Sequence, residues 1–339
     1  MLARFAIAIC HMRLIAMKIS ASLIITACGL AVVSSTVIAQ AYPTRPIRFI
    51  VPFPPGGSTD TYARIIGVKL TEALGQAVVL DNRAGAGGAL GAEIAAKATA
   101  DGYTLVLGQD GNLVVGQAVR KQKNYNTLTD FAPIALVVRT PQVIVVNDNS
   151  PLKTLSDLIA AAKANPGKLS YATAGTASSS HVMGTYFNQL NGINTLHVPY
   201  KGGAPGMMDL RAGRVSYMMT SMVSSLNFAR DGRARLLAVT GEKRSHLFAD
   251  VPTFAEAGVP GFEATIWHGV LAPAKAPREI ITRVNREVVK VLAMPDVQKL
   301  LQFEGGTVSP STADEFAAFI RADVARWDNM IKRTGITLD

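Results

Sequence analysis

From about residue 47 to the C-terminus, short apolar runs alternate with amphipathic stretches, a pattern that predicts an α/β architecture containing parallel strands. Residues 47–51, 77–80, 104–107, 134–138 and 143–146 read as strands. Between them, 59–74 places Tyr62, Ile65, Ile66, Lys69 and Leu70 at mostly three-to-four spacing and reads as a helix, as does 89–98. A second series follows: helix 155–164 stopped by Asn165-Pro166-Gly167, strand 169–172, helix 179–190, strand 195–198, helix 205–212, then strands 215–219 and 235–239. The chain is extended again over 262–271, and 277–292, 296–303 and 313–333 are helical.

No fixed-period repeat and no Pro/Ser linker separates two halves. Two α/β lobes joined by more than one crossing account for this, because a hinge built of strands needs no floppy linker. The crossings are expected near Thr140 and Gly261, giving one lobe from 41–139 and 262–339 and another from 140–261.

The first forty residues differ in kind. They hold Arg4, Arg13 and Lys18, no acid, an apolar middle and a small-residue end with A-x-A spacing at Ala39 and Ala41, which describes a cleavable secretory signal peptide at 1–40 and predicts a periplasmic protein. A retained anchor, a lipoprotein-like box ending at Cys28 and a start at Met17 rather than Met1 are the alternatives. Three of the ten net positive charges belong to this segment, so the body carries +7. Both cysteines, Cys10 and Cys28, also precede Gln40, which excludes a disulfide framework, a cysteine-based zinc site and a cysteine nucleophile afterwards. With 17% charged and 49% hydrophobic residues the body is globular. Its Lys and Arg are interspersed with acids and there are few aromatics, so nucleic acid is not an expected partner.

Two turns carry the candidate chemistry. Val51-Pro52-Phe53-Pro54-Pro55-Gly56-Gly57-Ser58-Thr59-Asp60 is a glycine turn between strand and helix, where the following helix start presents unpaired N–H groups to an anion. Simple helix capping by Ser58, Thr59 or Asp60 is the plainer reading. Tyr171 to His181 repeats the order of strand, small hydroxyl-rich turn and helix, and two such turns facing each other would clamp a small anion. Gly85-Ala86-Gly87-Gly88-Ala89-Leu90-Gly91 only approximates a dinucleotide fingerprint; close helix packing or a third loop at the cleft fits it better. No P-loop, H-E-x-x-H or G-x-S-x-G occurs, and Ser150 to Lys153 has S-x-x-K spacing without its companion motifs. His181, His197, His246 and His268 lack metal-ligand spacing, so neither metal nor cofactor is expected. At the helix start, His181 either hydrogen-bonds a ligand or organises the serine turn.

FPPGGSTD (53–60), DNRAGAGGALGAEIAAKATADGYTLVLG (81–108), TDFAPIALV (129–137), HVPYKGGAPGMMDLRAGRV (197–215), DVPTFAEAGVPGFEATIWHGVLAPAKAP (250–277) and EFAAFIRADVARWDNMIKRTGI (315–336) together resemble the Bug or tripartite tricarboxylate transporter receptor family, in order, over 42–339. The resemblance implies a two-lobed type II periplasmic binding protein of the Venus-flytrap kind, monomeric and not an enzyme. It would hold a small carboxylate, whether a di- or tricarboxylate, an aromatic acid or an acidic amino acid, and deliver it to integral-membrane transporter subunits. Carried over, the ligand residues are Pro55, Gly56, Gly57, Ser58, Thr59 and Asp60 from the first turn and Thr173, Gly175, Thr176, Ser179 and His181 from the second. Asp60 would meet an ammonium group of an amino-acid ligand. The sequence departs from the family in 108–112, where Asp110 is a further cleft candidate, and after His181, where Val182-Met183-Gly184 follows. A ligand sensor docking a membrane partner and a secreted serine hydrolase are the competing functions.

Overall fold

A computed structural model describes residues 42–262 and 265–336. The expected signal segment, its cleavage site and both cysteines lie outside these residues, as do Glu263 and Ala264 of the extended run. The compact unit that carries the fold begins at Arg45.

The described residues form a mixed sheet in the order β2-β1-β3-β9-β4-β7-β5-β6. Strands β1 (Ile47–Val51), β2 (Val78–Asn82) and β3 (Thr104–Gln109) are parallel to one another, and β9 (Thr265–Pro273) runs antiparallel between β3 and β4 (Phe131–Asn147). On the other side β7 (Tyr217–Ser221) and β8 (Ala234–Val239) pair with the far end of β4, and β5 (Ser170–Thr173) lies parallel to both β7 and β6 (Leu196–Pro199). A short β10 (Thr307–Val308) pairs with β4 at Arg139 and Val138. This is the α/β, two-lobed type II binding-protein fold.

Strand β4 joins the halves. The two strands expected at 134–138 and 143–146 are one strand of 17 residues. Pro141 makes the sequence look interrupted there. It lies opposite Thr265 at the end of the β9 ladder, while the next residue, Gln142, opens the ladder to β7 opposite Ser221. A residue without an N–H is tolerated where a strand changes partners. Beyond that point Val143 and Val145 pack into one apolar core with Met207, Met218 and Met222, whereas Ile144 and Val146 enter the other, so the strand's two-residue period feeds both faces.

Helices α1 (Ser58–Leu74), α2 (Ala89–Ala96), α3 (Leu155–Ala164), α4 (Ser179–Asn191), α5 (Gly203–Arg211), α6 (Met222–Arg230), α7 (Arg278–Leu292), α8 (Pro295–Phe303) and α9 (Ala313–Thr334) cover the sheet. The sequence reading had no helix at α6. The long terminal helix α9 starts at a reciprocal cap between Thr312 and Glu315 and stops at Gly335 in the left-handed conformation. Both α7 and α9 are tied to the β4 and β9 region: Asn285 donates to Ile134 O at 2.6 Å, and Trp267 Nε1 donates to Asp323 at 2.8 Å.

Candidate functional site

Four helix starts converge on one small cavity. The first is α1, whose cap residue Gly57 has no side chain to satisfy the opening N–H groups. Gly57, Ser58 and Thr59 line the cavity together with Phe53. The loop before them is held by Asp60, whose carboxylate accepts from Gly56 N–H at 3.0 Å, Asn82 Nδ2 at 3.0 Å and Arg64 Nε and Nη2 at 2.8 and 3.0 Å. Burial works to raise the Asp60 pKa, but these donors outweigh it and hold the carboxyl below its ordinary value.

The second start is α4. Ser178 caps it, accepting from His181 N–H at 3.3 Å and donating to Gly175 O at 2.7 Å, while Ser180 Oγ accepts from Ala174 N–H at 3.0 Å. Ser178, Ser179, Ser180 and Ala174 face the cavity. His181 does not. Its Nδ1 accepts from Ala177 N–H at 3.2 Å, and its ring stacks on His197 with centroids 3.5 Å apart. His197 Nε2 in turn pairs with Thr173 Oγ1 at 2.7 Å. Burial lowers the His181 pKa to about 3, helped by the neighbouring imidazole, and burial alone lowers that of His197 to about 4, so both rings are neutral at neutral pH. This chain of contacts makes His181 an organiser of the serine turn.

Starts three and four belong to α5 and α6. Gly203 opens α5 after Gly202, again without a side-chain cap. Ser221 caps α6, its hydroxyl 3.1 Å from that of Ser224, and both residues reach the cavity with Gly203 and Thr220. Gln109 from β3 and Ile266 from β9 complete the wall. Among the described residues no lining side chain is charged. An anion there would be met by backbone N–H groups, hydroxyls and four positive helix ends.

Of the residues expected from sequence, the cavity wall takes Gly57, Ser58, Thr59 and Ser179. Pro55 and Gly56 are exposed at the rim, and Thr176 is exposed on the opposite turn. Asp60, Thr173, Gly175 and His181 are buried behind the wall, so the Asp60 carboxylate expected to meet an ammonium group is turned instead to Arg64, Asn82 and Gly56. Asp110 is buried as well, bonded to Ser179. The sequence reading left out Phe53, Gln109, Ala174, Ser178, Ser180 and Ile266, and with them the whole contribution of Gly203, Thr220, Ser221 and Ser224 at the starts of α5 and α6. Thr220-Ser221-Met222-Val223-Ser224-Ser225 has the same order of strand end, hydroxyl turn and helix as the two turns it did single out.

The rims of the two halves touch. Gly87, at φ +61°, lies so close to Thr176 O that a Cβ would sit 2.5 Å from it, so this loop of the glycine-rich 85–91 segment meets the serine turn. Gly202 approaches Pro54 equally closely, with a Cβ position 2.7 Å from its ring. Arg120 bridges the same seam, donating to Ala86 O at 2.6 Å and Thr176 O at 3.1 Å. What remains between the turns is about 30 Å³, the space of one or two ordered waters.

Among the described residues no three His, Cys, Asp or Glu side chains cluster as metal ligands would. Ser150 Oγ accepts from Leu152 N–H at 3.2 Å and Lys153 Nζ donates to Asp148 O at 3.3 Å, so the S-x-x-K pair is engaged in its own loop.

Comparison with known proteins finds relatives over most of the chain. The model of the tripartite tricarboxylate transporter family receptor matches residues 62–336. Protein BugT of Bordetella pertussis is 38% identical over 307 residues, covering 90% of this chain and 94% of BugT. A structure from R. palustris solved with adipate superimposes with a TM-score of 0.84 at 35% identity, covering 87% of this chain and 99% of that one. MatC from Rhodopseudomonas palustris with bound malate gives a TM-score of 0.83 at 31% identity, covering 86% and 100%.

Proposed function

The chain belongs to the tripartite tricarboxylate transporter receptor family, and from that premise we propose that it is a periplasmic receptor that closes two lobes, 41–139 with 262–339 and 140–261, around a small carboxylate. The observation that carries this reading is the convergence of four helix N-termini on a wall that has no charged side chain among the described residues. A carboxylate accepting several N–H and O–H bonds in such a place needs no arginine. Ser58, Thr59, Ser221 and Ser224 supply hydroxyls, and the first turns of α1 and α5 supply N–H groups.

Adipate and malate are held by two similar proteins, and dicarboxylates of that size are the ligands to try first. Neither fits 30 Å³, so the halves must part along the seam at Gly87 and Gly202 to admit one. No chemistry follows capture: the protein is a carrier that hands its ligand to integral-membrane subunits, after export by the signal peptide.

Titration calorimetry with C4 to C6 dicarboxylates, tricarboxylates, aromatic acids and acidic amino acids tests this. One class should bind with a single site and raise the melting temperature with concentration. Absence of binding across all four classes would overturn the reading.

A further inference from the structure

A second, much larger cavity of about 590 Å³ opens on the other side of the hinge strands. Neighbouring residues of a strand point to opposite faces. In β9, Ile266 lines the cleft while Thr265 lines this second space. In β4, Arg139 and Pro141 face it, whereas the intervening Thr140 bonds Tyr62 at 2.8 Å. Its walls come from both halves of the molecule: β4, Thr265 and the β10 segment on one side, and the 239–246 stretch that ends β8 on the other.

Charge separates this cavity from the cleft, whose described lining is uncharged. Among the described residues Arg139, Lys243, Arg244 and His246 line it against one acid, Glu242. Arg244 is neutralised by Glu256 at 2.8 Å. Arg139 and Lys243 have no carboxylate partner among the described residues, and the Arg139 guanidinium is steadied over the Phe319 ring at 4.9 Å. A further cavity of about 430 Å³ beside Ser150 has no charged residue in its wall, so size alone does not bring cations together here. The volume lies in the range of small-molecule sites. Two unpaired cations on facing walls suit a group that concentrates two negative charges on one centre, and a guanidinium fork matches phosphate oxygens.

We propose that this hinge cavity is a second anion site that takes a small phosphate monoester, independent of the carboxylate cleft. The phosphate would sit between Arg139 and Lys243, with the organic part filling the remaining volume along Thr265 and Gly305.

The test is calorimetry of the full mature chain with glycerol 3-phosphate and, separately, inorganic phosphate. The monoester should bind one equivalent, and more tightly than inorganic phosphate if the organic part is seated. The double variant R139Q/K243Q should weaken monoester binding at least tenfold, and the loop variant K243Q alone several-fold, with unchanged circular dichroism. Gly203→Ala, which narrows the cleft, should leave monoester binding intact even where carboxylate binding is lost, so the two readings fail separately. Absence of monoester binding, binding indifferent to R139Q/K243Q, or binding abolished by Gly203→Ala would each overturn the proposal.

Discussion

The hydroxyl of Ser179 donates to the buried carboxyl of Asp110 at 3.0 Å, tying the first residue of α4 to the residue that follows β3. This bond spans the two halves of the molecule directly behind the cavity wall. The second carboxyl oxygen of Asp110 has no hydrogen-bond partner among the described residues. Desolvation, reinforced by the charge of Asp323, pushes the Asp110 pKa up to about 8. At neutral pH the folded protein therefore keeps a proton here that the unfolded chain has released.

The sign of the resulting pH dependence follows. Below about pH 4 both states are protonated; between about 4 and 8 only the folded state is, so stability falls as pH rises and levels off above about 8. Urea denaturation at about pH 6.5 and about pH 8.5, above the range in which the buried imidazoles act, should show this loss in the wild type and a smaller one in Asp110→Asn. An identical loss in both proteins would remove Asp110 as its source.

Gly203 controls the space between the helix starts. A Cβ added there would lie 2.4 Å from Ser224 Oγ and 2.8 Å from its Cβ. Gly203→Ala should lower carboxylate affinity at least tenfold, about 1.4 kcal/mol, because the methyl occupies what the ligand needs. Calorimetry reads the affinity, and an unchanged far-ultraviolet spectrum checks that α5 still forms.

Asp60 shapes the first turn from behind. Asp60→Ala removes one of the two acceptors of Asn82 Nδ2, which keeps Phe53 O at 2.9 Å, and the acceptor of the Gly56 N–H, and should cost about 1–2 kcal/mol of stability, since Gly56 is exposed and Arg64 is partly in water. Its lowered pKa means the contribution is complete above about pH 4 and lost as pH falls through the lower folded value. Denaturation at neutral pH measures the cost, and a wild-type-like midpoint would contradict the assigned role.

The stacked imidazoles act with the opposite sign from Asp110, below about pH 6.5. Because burial lowers His181 to about 3 and His197 to about 4, the unfolded chain takes up protons below about pH 6.5 that the folded chain refuses. Stability should fall as pH drops from about 6.5 toward 4, and His197→Gln should flatten that fall. Nuclear magnetic resonance titration of the two rings offers an independent reading: chemical shifts moving near pH 6.5 would show that neither ring is desolvated as described.

Arg120 clasps the seam through two carbonyls, so Arg120→Ala should weaken ligand binding several-fold, about 1 kcal/mol, by removing charge-assisted bonds of the closed form. Affinity equal to wild type would show that the clasp does not contribute to closure.

Local order decided what the sequence could reveal. A strand end followed by small residues and an amphipathic run specifies a helix start wherever it lies, which is why the turns at Gly57 and Ser178 were legible and why Thr220 to Ser225 could have been read the same way. Even the role of Asp60 had a local sign, because Arg64 stands one helical turn away at i+4. The pattern that predicts an export segment, the alternation of strands and helices and the family motifs are likewise properties of neighbouring residues.

Direction and convergence belong to the tertiary structure. Whether Asp60, Asp110 and His181 face a ligand or support the residues that do depends on partners as distant as Asn82, Ser179 and His197, which only sheet pairing brings near. The joining of four helix starts follows from β4 exchanging β9 for β7 and β8 after Pro141, so that α5 and α6 arrive opposite α1. Side-chain chemistry at each turn is written locally; the cavity they share exists because non-local strand pairing fixes the distance between them.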